Sequence, residues 1–279
     1  MLSHLLNGEI DSWEIRKKIL HALHAVGGGH YGGAFSVVDI LQVLYNKILQ
    51  PRIGFFGNPF RDRLILSKGH AAMALYCTLA ALKIIDESQL YKFGVFMSGI
   101  EGHPDMLETT GIDFSTGSLG QGLSVGLGMA IGLRSKSNAH VWVILGDGEC
   151  QEGQIWEAAM LASRYKVNNL HVVIDANGAQ EYGYQHNQLL QQMPLPNLRE
   201  KWESFSWKVL EVNGHCIEKL DKSFKEIRDE VFLPSVVIAR TKKGYGVSQF
   251  ENNPENSHWA NLTEAEFKQA IQELNDHAR

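Results

Sequence analysis

The chain has 279 residues, of which 44% are hydrophobic and 20% charged, and its formal net charge is −5. A chain of this length can bury the core of one large α/β domain. The mild negative charge and the lack of a basic stripe argue against nucleic acid or an anionic membrane as a partner.

The three cysteines predict a reducing compartment. Cys77, Cys150 and Cys216 are far apart, and no CxxC pair indicates a zinc or redox motif. Residues 1–26 carry three acidic side chains among apolar ones, unlike a secretory signal. No apolar run approaches the ~20 residues that cross a bilayer. We therefore expect a cytoplasmic protein.

The first hundred residues are predicted to contain three helices and one short strand. Apolar residues at near-helical spacing predict an amphipathic helix over residues 10–26, ended by the glycines at 27, 28 and 29. The next elements are predicted as a helix over 36–48, a short strand over 62–66, a buried alanine-rich helix over 70–82 and a loop over 101–114.

Residues 118–133 form a predicted helix with an unusual number of glycines. They stand at positions 120, 122, 126, 128 and 132. Each glycine inside a helix costs about 1 kcal/mol relative to alanine. We expect very close packing there, against another helix or a bound ligand.

The second half of the chain alternates strands with helices. β-branched runs predict strands over 141–145, 170–174, 208–212 and 235–239, and helices over 152–165, 197–204 and 217–231 lie between them. Such alternation predicts an α/β fold, a doubly wound, mostly parallel sheet with helices on both faces. Residues 1–279 are interpreted as one domain, and the Gln-rich residues 178–196 as a mobile loop.

Two oxygen ligands are predicted to lie where two strands end. Asp147 follows the strand at 141–145, and Asn177 follows the strand at 170–174. Ligands of parallel sheets bind at the carboxyl ends of the strands. Mg²⁺ takes one or two such protein ligands together with phosphate oxygens, and the carbonyl of Ala179 could add a third. Gly146 and Gly148 would let a diphosphate come close to the backbone. Alternatively, the glycines mark only a tight turn.

Three histidines stand in glycine-containing loops, namely His30, His70 and His103. Together they indicate a shared polar cleft, because histidine moves protons near neutral pH and can hydrogen-bond sugar hydroxyls or phosphate. Residues 115–122 could be mistaken for a nucleotide loop. They have neither GxGxxG spacing nor a Walker lysine, so a Rossmann or P-loop site is disfavoured.

The motifs occur in the order of a known family. They are Gly29-His30-Tyr31-Gly32-Gly33, Ser67-Lys68-Gly69-His70, Gly102-His103-Pro104, Gly117–Gly122, Gly146-Asp147-Gly148-Glu149, Asp175-Ala176-Asn177-Gly178 and Thr241-Lys242-Lys243-Gly244-Tyr245-Gly246. With these motifs the chain resembles the N-terminal, diphosphate-binding half of transketolase, a thiamine diphosphate enzyme.

The resemblance implies roles for individual residues. Asp147, Asn177 and the Ala179 carbonyl would hold Mg²⁺, or Ca²⁺ or Mn²⁺ in its place. The residues implied to bind the cofactor are His70, Gly117, Ser118, Leu119, Gly146, Asp147, Gly148, Glu149 and Asn177. His30 and His258 would act on the substrate carbonyl, and His103 would bind a donor hydroxyl. Glu152 and Glu157 would lie at a subunit interface.

Transketolases of this family are over twice as long, and the resemblance therefore implies a split enzyme. A separate C-terminal subunit would carry the pyrimidine-binding and C-terminal domains, in a heterotetramer with two copies of each subunit. The reaction would transfer a two-carbon ketol unit from a ketose phosphate to an aldose. The alternatives are a related thiamine diphosphate enzyme for a specialised sugar, a non-catalytic subunit that binds the cofactor or serves as a scaffold, or an unrelated Mg²⁺-dependent phosphoryl transferase.

Overall fold

A parallel five-stranded sheet forms the centre of the protein. The computed structural model describes residues 10–49, 58–180 and 195–277. The strands are β1 Arg63–Leu66, β2 Val141–Gly146, β3 Leu170–Ala176, β4 Lys208–Asn213 and β5 Ser235–Arg240. They are arranged in the order β1-β2-β3-β5-β4, and every neighbouring pair is parallel. The predicted sheet is confirmed.

Helices cover the sheet on both faces. Their bounds are α1 Ser12–Ala25, α2 Tyr31–Val43, α3 Ala72–Ala81, α4 Gln121–Arg134, α5 Gly153–Arg164, α6 Leu198–Ser204, α7 Ile217–Arg228, α8 Ser248–Asn252 and α9 Glu264–His277. In the parts of the chain that the structure describes, none of the helices combines the length and apolarity needed to cross a bilayer.

Alternate residues of each strand pack into two separate cores. In β2, Trp142 and Ile144 join one core, to which α1, α2, α3 and α7 contribute. Val143 and Leu145 join the other core, to which α4, α5 and α6 contribute. This alternation is the two-residue period of a strand whose two faces are both buried. Both layers hold the strands in register, so their carboxyl ends lie along one edge.

Helix α2 begins five residues before its predicted start at residue 36. The prediction was wrong because glycines 32 and 33 disfavour a helix by propensity. Both lie in tight contacts instead. A Cβ atom on Gly32 would meet the Ser257 carbonyl oxygen at 2.8 Å, and one on Gly33 would meet Nε2 of His70 at 2.9 Å. Tertiary packing therefore selects glycine here, and the helix begins directly after His30.

The glycines of α4 fall into two groups. A Cβ atom on Gly122 would collide with Ser67, and one on Gly126 would meet Val143 at 2.5 Å, so these two contact the sheet rather than a helix or ligand. Gly120 precedes the helix, with a φ of 84°. Around Gly128 and Gly132, no described atom lies within 4 Å of a Cβ position. Close packing thus explains only part of the set.

Two helices have no counterpart in the sequence prediction. These are the short α8 and the longer α9, which packs on α1. Residues 101–114 form a loop, as predicted. Most of the predicted mobile loop at 178–196 lies outside the described residues, so that prediction is untested.

Two stacked histidines lie near the amino-terminal edge of the sheet, at the opposite edge from the carboxyl ends of the strands. The rings of His140 and His171 share a hydrogen bond of 2.7 Å. Burial, followed by the charge of Arg228, lowers the pKa of His140 from 6.5 to about 4. Burial, followed by His140, lowers the pKa of His171 well below 6.5. Both rings are therefore neutral in the folded protein at neutral pH.

The α4 glycines provide a matched pair of substitutions. Gly122→Ala should lower the free energy of unfolding by about 1–3 kcal/mol, because the added methyl overpacks against Ser67. Gly128→Ala should raise it by about 0.5–1 kcal/mol, because alanine favours the helix and has room. Urea denaturation measures both, and equal effects would contradict the packing account.

The histidine pair should make stability depend on pH. Both pKa values are lower in the folded state, so the unfolded state binds more protons below pH 6.5. The contribution is present above pH 6.5 and is lost as the pH falls towards 4, by about 1–3 kcal/mol. Urea denaturation at several pH values should show this slope. His140→Asn should make the slope smaller, with the His171 contribution remaining, and an unchanged slope would contradict the assignment.

Candidate functional site

A cavity of about 410 Å³ opens at the carboxyl ends of the strands. The loops after β1, β2, β3 and β5 and the start of α2 enclose it. Its lining residues are His30, Gly33, Lys68, His70, His103, Gly117, Leu119, Gly146, Asp147, Gly148, Glu149, Gln151, Glu152, Asn177, Ala179, Gln180, Lys243 and His258. Residues predicted from separate motifs therefore share one cavity.

Asp147 and Asn177 lie on neighbouring strand ends. The register pairs Gly146 with Asp175, which brings the segments after β2 and β3 side by side. One carboxylate oxygen of Asp147 accepts from the Gly148 amide (2.8 Å) and the other from the Gly178 amide (2.7 Å). The Asn177 side-chain oxygen accepts from the Ala179 amide (3.0 Å). These bonds orient both groups, and each oxygen keeps a lone pair.

The donor set fits a hard divalent cation that takes few protein ligands. Within residues 10–49, 58–180 and 195–277, no three His, Cys, Asp or Glu side chains cluster around a possible metal position. Any cation here would depend on Asp147, the Asn177 amide oxygen, backbone carbonyls and oxygens of a bound ligand. Burial raises the pKa of Asp147 to about 6, although the Gly178 amide lowers it. A bound cation would favour the ionised carboxylate.

Glu149 connects three segments of the cavity wall through hydrogen bonds to its carboxylate. Its carboxylate accepts from the hydroxyl of Ser67, the amide of Gly120 (2.9 Å) and the amide of Gly146 (3.0 Å). The side chain is buried, and it joins the loop after β1, the start of α4 and the end of β2. Its predicted contact with a cofactor remains a prediction, while its bonds position three segments of the cavity wall.

A buried ion pair lies at the wall of the cavity. Lys68, which follows β1, pairs with Asp175 in β3, and both side chains are almost wholly inaccessible to solvent. Burial alone would raise the pKa of Asp175, but Lys68 and the hydroxyls of Ser36 and Thr241 hold it below its usual value. The Lys68 ammonium also donates to the Gly33 carbonyl (3.1 Å). Four segments are thus joined through one carboxylate.

Four histidines surround one side of the cavity. The ring centroids of His30 and His258 are 5.1 Å apart, as are those of His70 and His258. His103 lies 6.5 Å from His30. The ammonium of Lys243 lies 3.5 Å from Nδ1 of His258. The predicted cleft of histidines is therefore present, with two lysines at its wall.

The environment keeps three of these histidines neutral. Burial, then His103 and Lys243, lowers the pKa of His30. Burial, then Lys68, lowers that of His70 well below 6.5. Burial, then Lys243, lowers that of His258 to about 3. Neutral imidazoles can donate one hydrogen bond and accept another, so the cleft suits hydroxyl and carbonyl groups.

The structure brings most predicted site residues to the cavity. Two lie outside its lining: Ser118 is exposed beside it, and Glu157 is exposed on α5. Sequence reasoning missed Gly33, Lys68, Gln151, Gln180 and Lys243. Both lysines belong to quoted motifs, but lysine is almost always exposed. A motif match was the sole signal for them.

Lys68→Met should strongly destabilise the protein. The substitution leaves the Asp175 carboxylate buried without a cation, at a cost of about 3–5 kcal/mol in the free energy of unfolding. Lys242→Met is the matched control, because that lysine pairs with Glu251 at the surface. Its loss should be about 0–1 kcal/mol. Urea denaturation measures the free energy of unfolding of both variants. Similar losses would show that the buried pair contributes no more to stability than the surface pair.

Comparisons with known proteins agree with this geometry. The family described as "Transketolase, thiamine diphosphate binding domain" matches residues 12–277. One of the subunits of the apulose-4-phosphate transketolase of Phocaeicola vulgatus is 36% identical over 269 residues, 96% of this chain and 94% of that protein. The 6-deoxy-6-sulfo-D-fructose transketolase subunit SqwG of a Clostridium species is 37% identical, over 93% of both chains.

Full-length transketolases match over less than half of their length. Human transketolase is 35% identical over 93% of this chain and 41% of its own. A transketolase variant from Pichia stipitis, in complex with xylulose-5-phosphate, superposes with a TM-score of 0.83 at 25% identity, over 95% of this chain and 40% of that one. The Campylobacter jejuni transketolase has a TM-score of 0.81 at 27% identity, over 99% and 43%. This chain belongs to the transketolase family and matches its thiamine diphosphate-binding domain.

Proposed function

We propose that this chain is the N-terminal subunit of a split, thiamine diphosphate-dependent transketolase. The observation that carries the proposal is the match to two proteins named as transketolase subunits, over 93% or more of both chains in each case. We infer that residues 1–279 act as a single diphosphate-binding domain. A separate subunit would supply the pyrimidine-binding and C-terminal domains, two copies of each subunit forming a heterotetramer.

The cofactor and its cation would bind at the strand ends. Asp147, Asn177 and the Ala179 carbonyl would hold Mg²⁺, or Ca²⁺ or Mn²⁺, together with diphosphate oxygens. Bound thiamine diphosphate supplies a carbon nucleophile and an electron sink for cleaving a ketose beside its carbonyl group. The buried Lys68 and Lys243 add positive charge to the wall of the same cavity, which favours an anionic ligand.

The histidines would handle the substrate. The ring centroids of His30 and His258 lie 5.1 Å apart with the rings perpendicular, and both residues have lowered pKa values. Neutral rings can polarise a carbonyl oxygen and exchange a proton with it. His103, at the edge of the group, would bind a hydroxyl of the donor sugar. The net result would be transfer of a two-carbon ketol unit from a ketose phosphate to an aldose.

A specialised sugar is the second candidate for the substrate. The two matched subunits are named for apulose-4-phosphate and for 6-deoxy-6-sulfo-D-fructose. The reaction type would be unchanged, and the donor would differ from those of the pentose phosphate pathway. A panel of ketose donors separates the two candidates.

The partner subunit would complete the site from the solvent side. Glu152 lines the cavity and is exposed directly before α5, and Glu157 is exposed within α5. We propose that both contact the partner. We also place the enzyme in the cytoplasm, because Cys77, Cys150 and Cys216 are all unpaired and a reducing compartment keeps thiols free.

Calorimetry with thiamine diphosphate and Mg²⁺, in the presence of the C-terminal subunit, tests the cofactor site. Asp147→Asn removes the charge but keeps the shape, and should weaken binding about tenfold or more. Asp229→Asn is the same chemical change on an exposed residue after α7, and should bind like wild type.

Turnover provides the second readout. The purified chain alone should be nearly inactive with ketose phosphate donors and should gain activity when the C-terminal subunit is added. Robust turnover by the chain alone would overturn the split arrangement. Absence of cofactor binding, with Asp147→Asn indistinguishable from wild type, would instead support a scaffold subunit.

A further inference from the structure

His215 lies between two parts of the cavity wall without touching the cavity. It follows β4 in the turn after Asn213. On one side is α2, which begins directly after His30. On the other is the TKKGYG loop, residues 241–246, which follows β5 and carries Lys243 into the cavity. A bond from His215 to both would set their separation.

Both ring nitrogens of His215 have partners. Nδ1 lies 2.7 Å from a carboxylate oxygen of Asp39 in α2. Nε2 accepts the backbone N–H of Lys242 at 2.8 Å. A backbone N–H can only donate, so Nε2 is the acceptor and the ring proton is on Nδ1, donated to Asp39. The side chain thus joins α2 to the loop through a single tautomer.

Asp39 is itself held rigidly. Arg16 of α1 binds both of its carboxylate oxygens, at 3.2 and 2.6 Å, and both side chains are buried. Burial alone would raise the pKa of Asp39, but Arg16 and His215 lower it to about 2. The carboxylate therefore stays ionised and remains an acceptor for His215 over the whole working range of pH.

The loop also packs on this group. The Tyr245 ring stacks on His215 with centroids 3.6 Å apart, and the Arg16 guanidinium lies 5.0 Å from its centroid. The Gly244 amide donates to the Gly32 carbonyl (3.0 Å). Between these contacts stands Lys243, buried, with its ammonium 3.5 Å from His258. The position of Lys243 thus follows from how the residues on either side are held.

We propose that His215 is a positioning residue for the TKKGYG loop, and that Asp39 fixes the ring tautomer in which Nε2 accepts from the Lys242 amide. The hydrogen bond that the Lys242 amide donates to Nε2 fixes the position of the loop, and this position places the Lys243 ammonium beside His258. His215 acts through the loop and touches no reacting group. The expected effect of His215 on the affinity for thiamine diphosphate rests on the proposed function. The expected effect of His215 on the order of the loop does not.

Two amide variants separate the roles of the two ring nitrogens. His215→Gln places an acceptor near the position of Nε2 and can keep the bond to Lys242. His215→Asn places its amide near Nδ1 and can keep the bond to Asp39 alone. Hydrogen exchange of residues 241–246 should accelerate about fivefold in His215→Asn, as expected for one lost hydrogen bond, and stay within about twofold in His215→Gln. Equal exchange, or the reverse order, overturns the proposal.

Two further measurements distinguish loop positioning from general stability. Long-range ¹⁵N–¹H spectra of the wild type should show His215 protonated on Nδ1, and protonation on Nε2 would overturn the proposal. The unfolding temperatures of the two variants should be similar, because each variant loses one hydrogen bond of the ring. A large difference in unfolding temperature that matches the exchange data would indicate global destabilisation and would count against positioning.

Binding of thiamine diphosphate with Mg²⁺, measured with the C-terminal subunit present, provides the functional readout. Affinity should fall about fivefold in His215→Asn and stay within about twofold in His215→Gln. Equal affinities with unequal exchange would overturn the link to Lys243. Wild-type protein that fails to bind would refute the proposed function, and the exchange experiment would still decide whether His215 orders the loop.

Discussion

The buried ion pair of Lys68 and Asp175 is the constraint on which the cavity depends. Charged groups removed from water are stable only when each meets an opposite charge and further hydrogen bonds. Asp175 meets that requirement with donors from three other segments, namely Lys68 after β1, Ser36 in α2 and Thr241 after β5. The segments can satisfy the carboxylate only if they converge at one place. Those same segments form part of the cavity wall.

Neutral histidines characterise one side of this cavity. Burial and the two nearby lysines favour neutral His30, His70 and His258. Positive charge then resides on the lysines, while the imidazoles remain able to donate and to accept. On the strand-end side, Asp147 is buried among backbone amides, a setting suited to a cation shared with an anionic ligand. One cavity therefore offers two chemically distinct ends.

Local patterns predicted much of the fold. Runs of β-branched residues predicted four of the five strands, and the short strand β1 was also predicted. Asp147 and Asn177 were placed correctly at neighbouring strand ends, because parallel strands end on the same edge. The start of α2 was misplaced because intrinsic propensity disfavours glycine, whereas the contacts of Gly32 and Gly33 with Ser257 and His70 are made by residues distant in sequence. The helix α9 went unrecognised, and it packs on α1 from the other end of the chain.

The sequence by itself determined the α/β class, the strand ends and the motif order that identified the family, because those properties depend on residue types and short spacings. The tertiary structure alone decided which polar groups share a partner. Lys68 meets Asp175 across 107 positions and His215 meets Asp39 across 176, and no local signal distinguishes these from surface residues. Partnerships of buried charges depend on how layers pack, and packing arises only when the whole chain has folded.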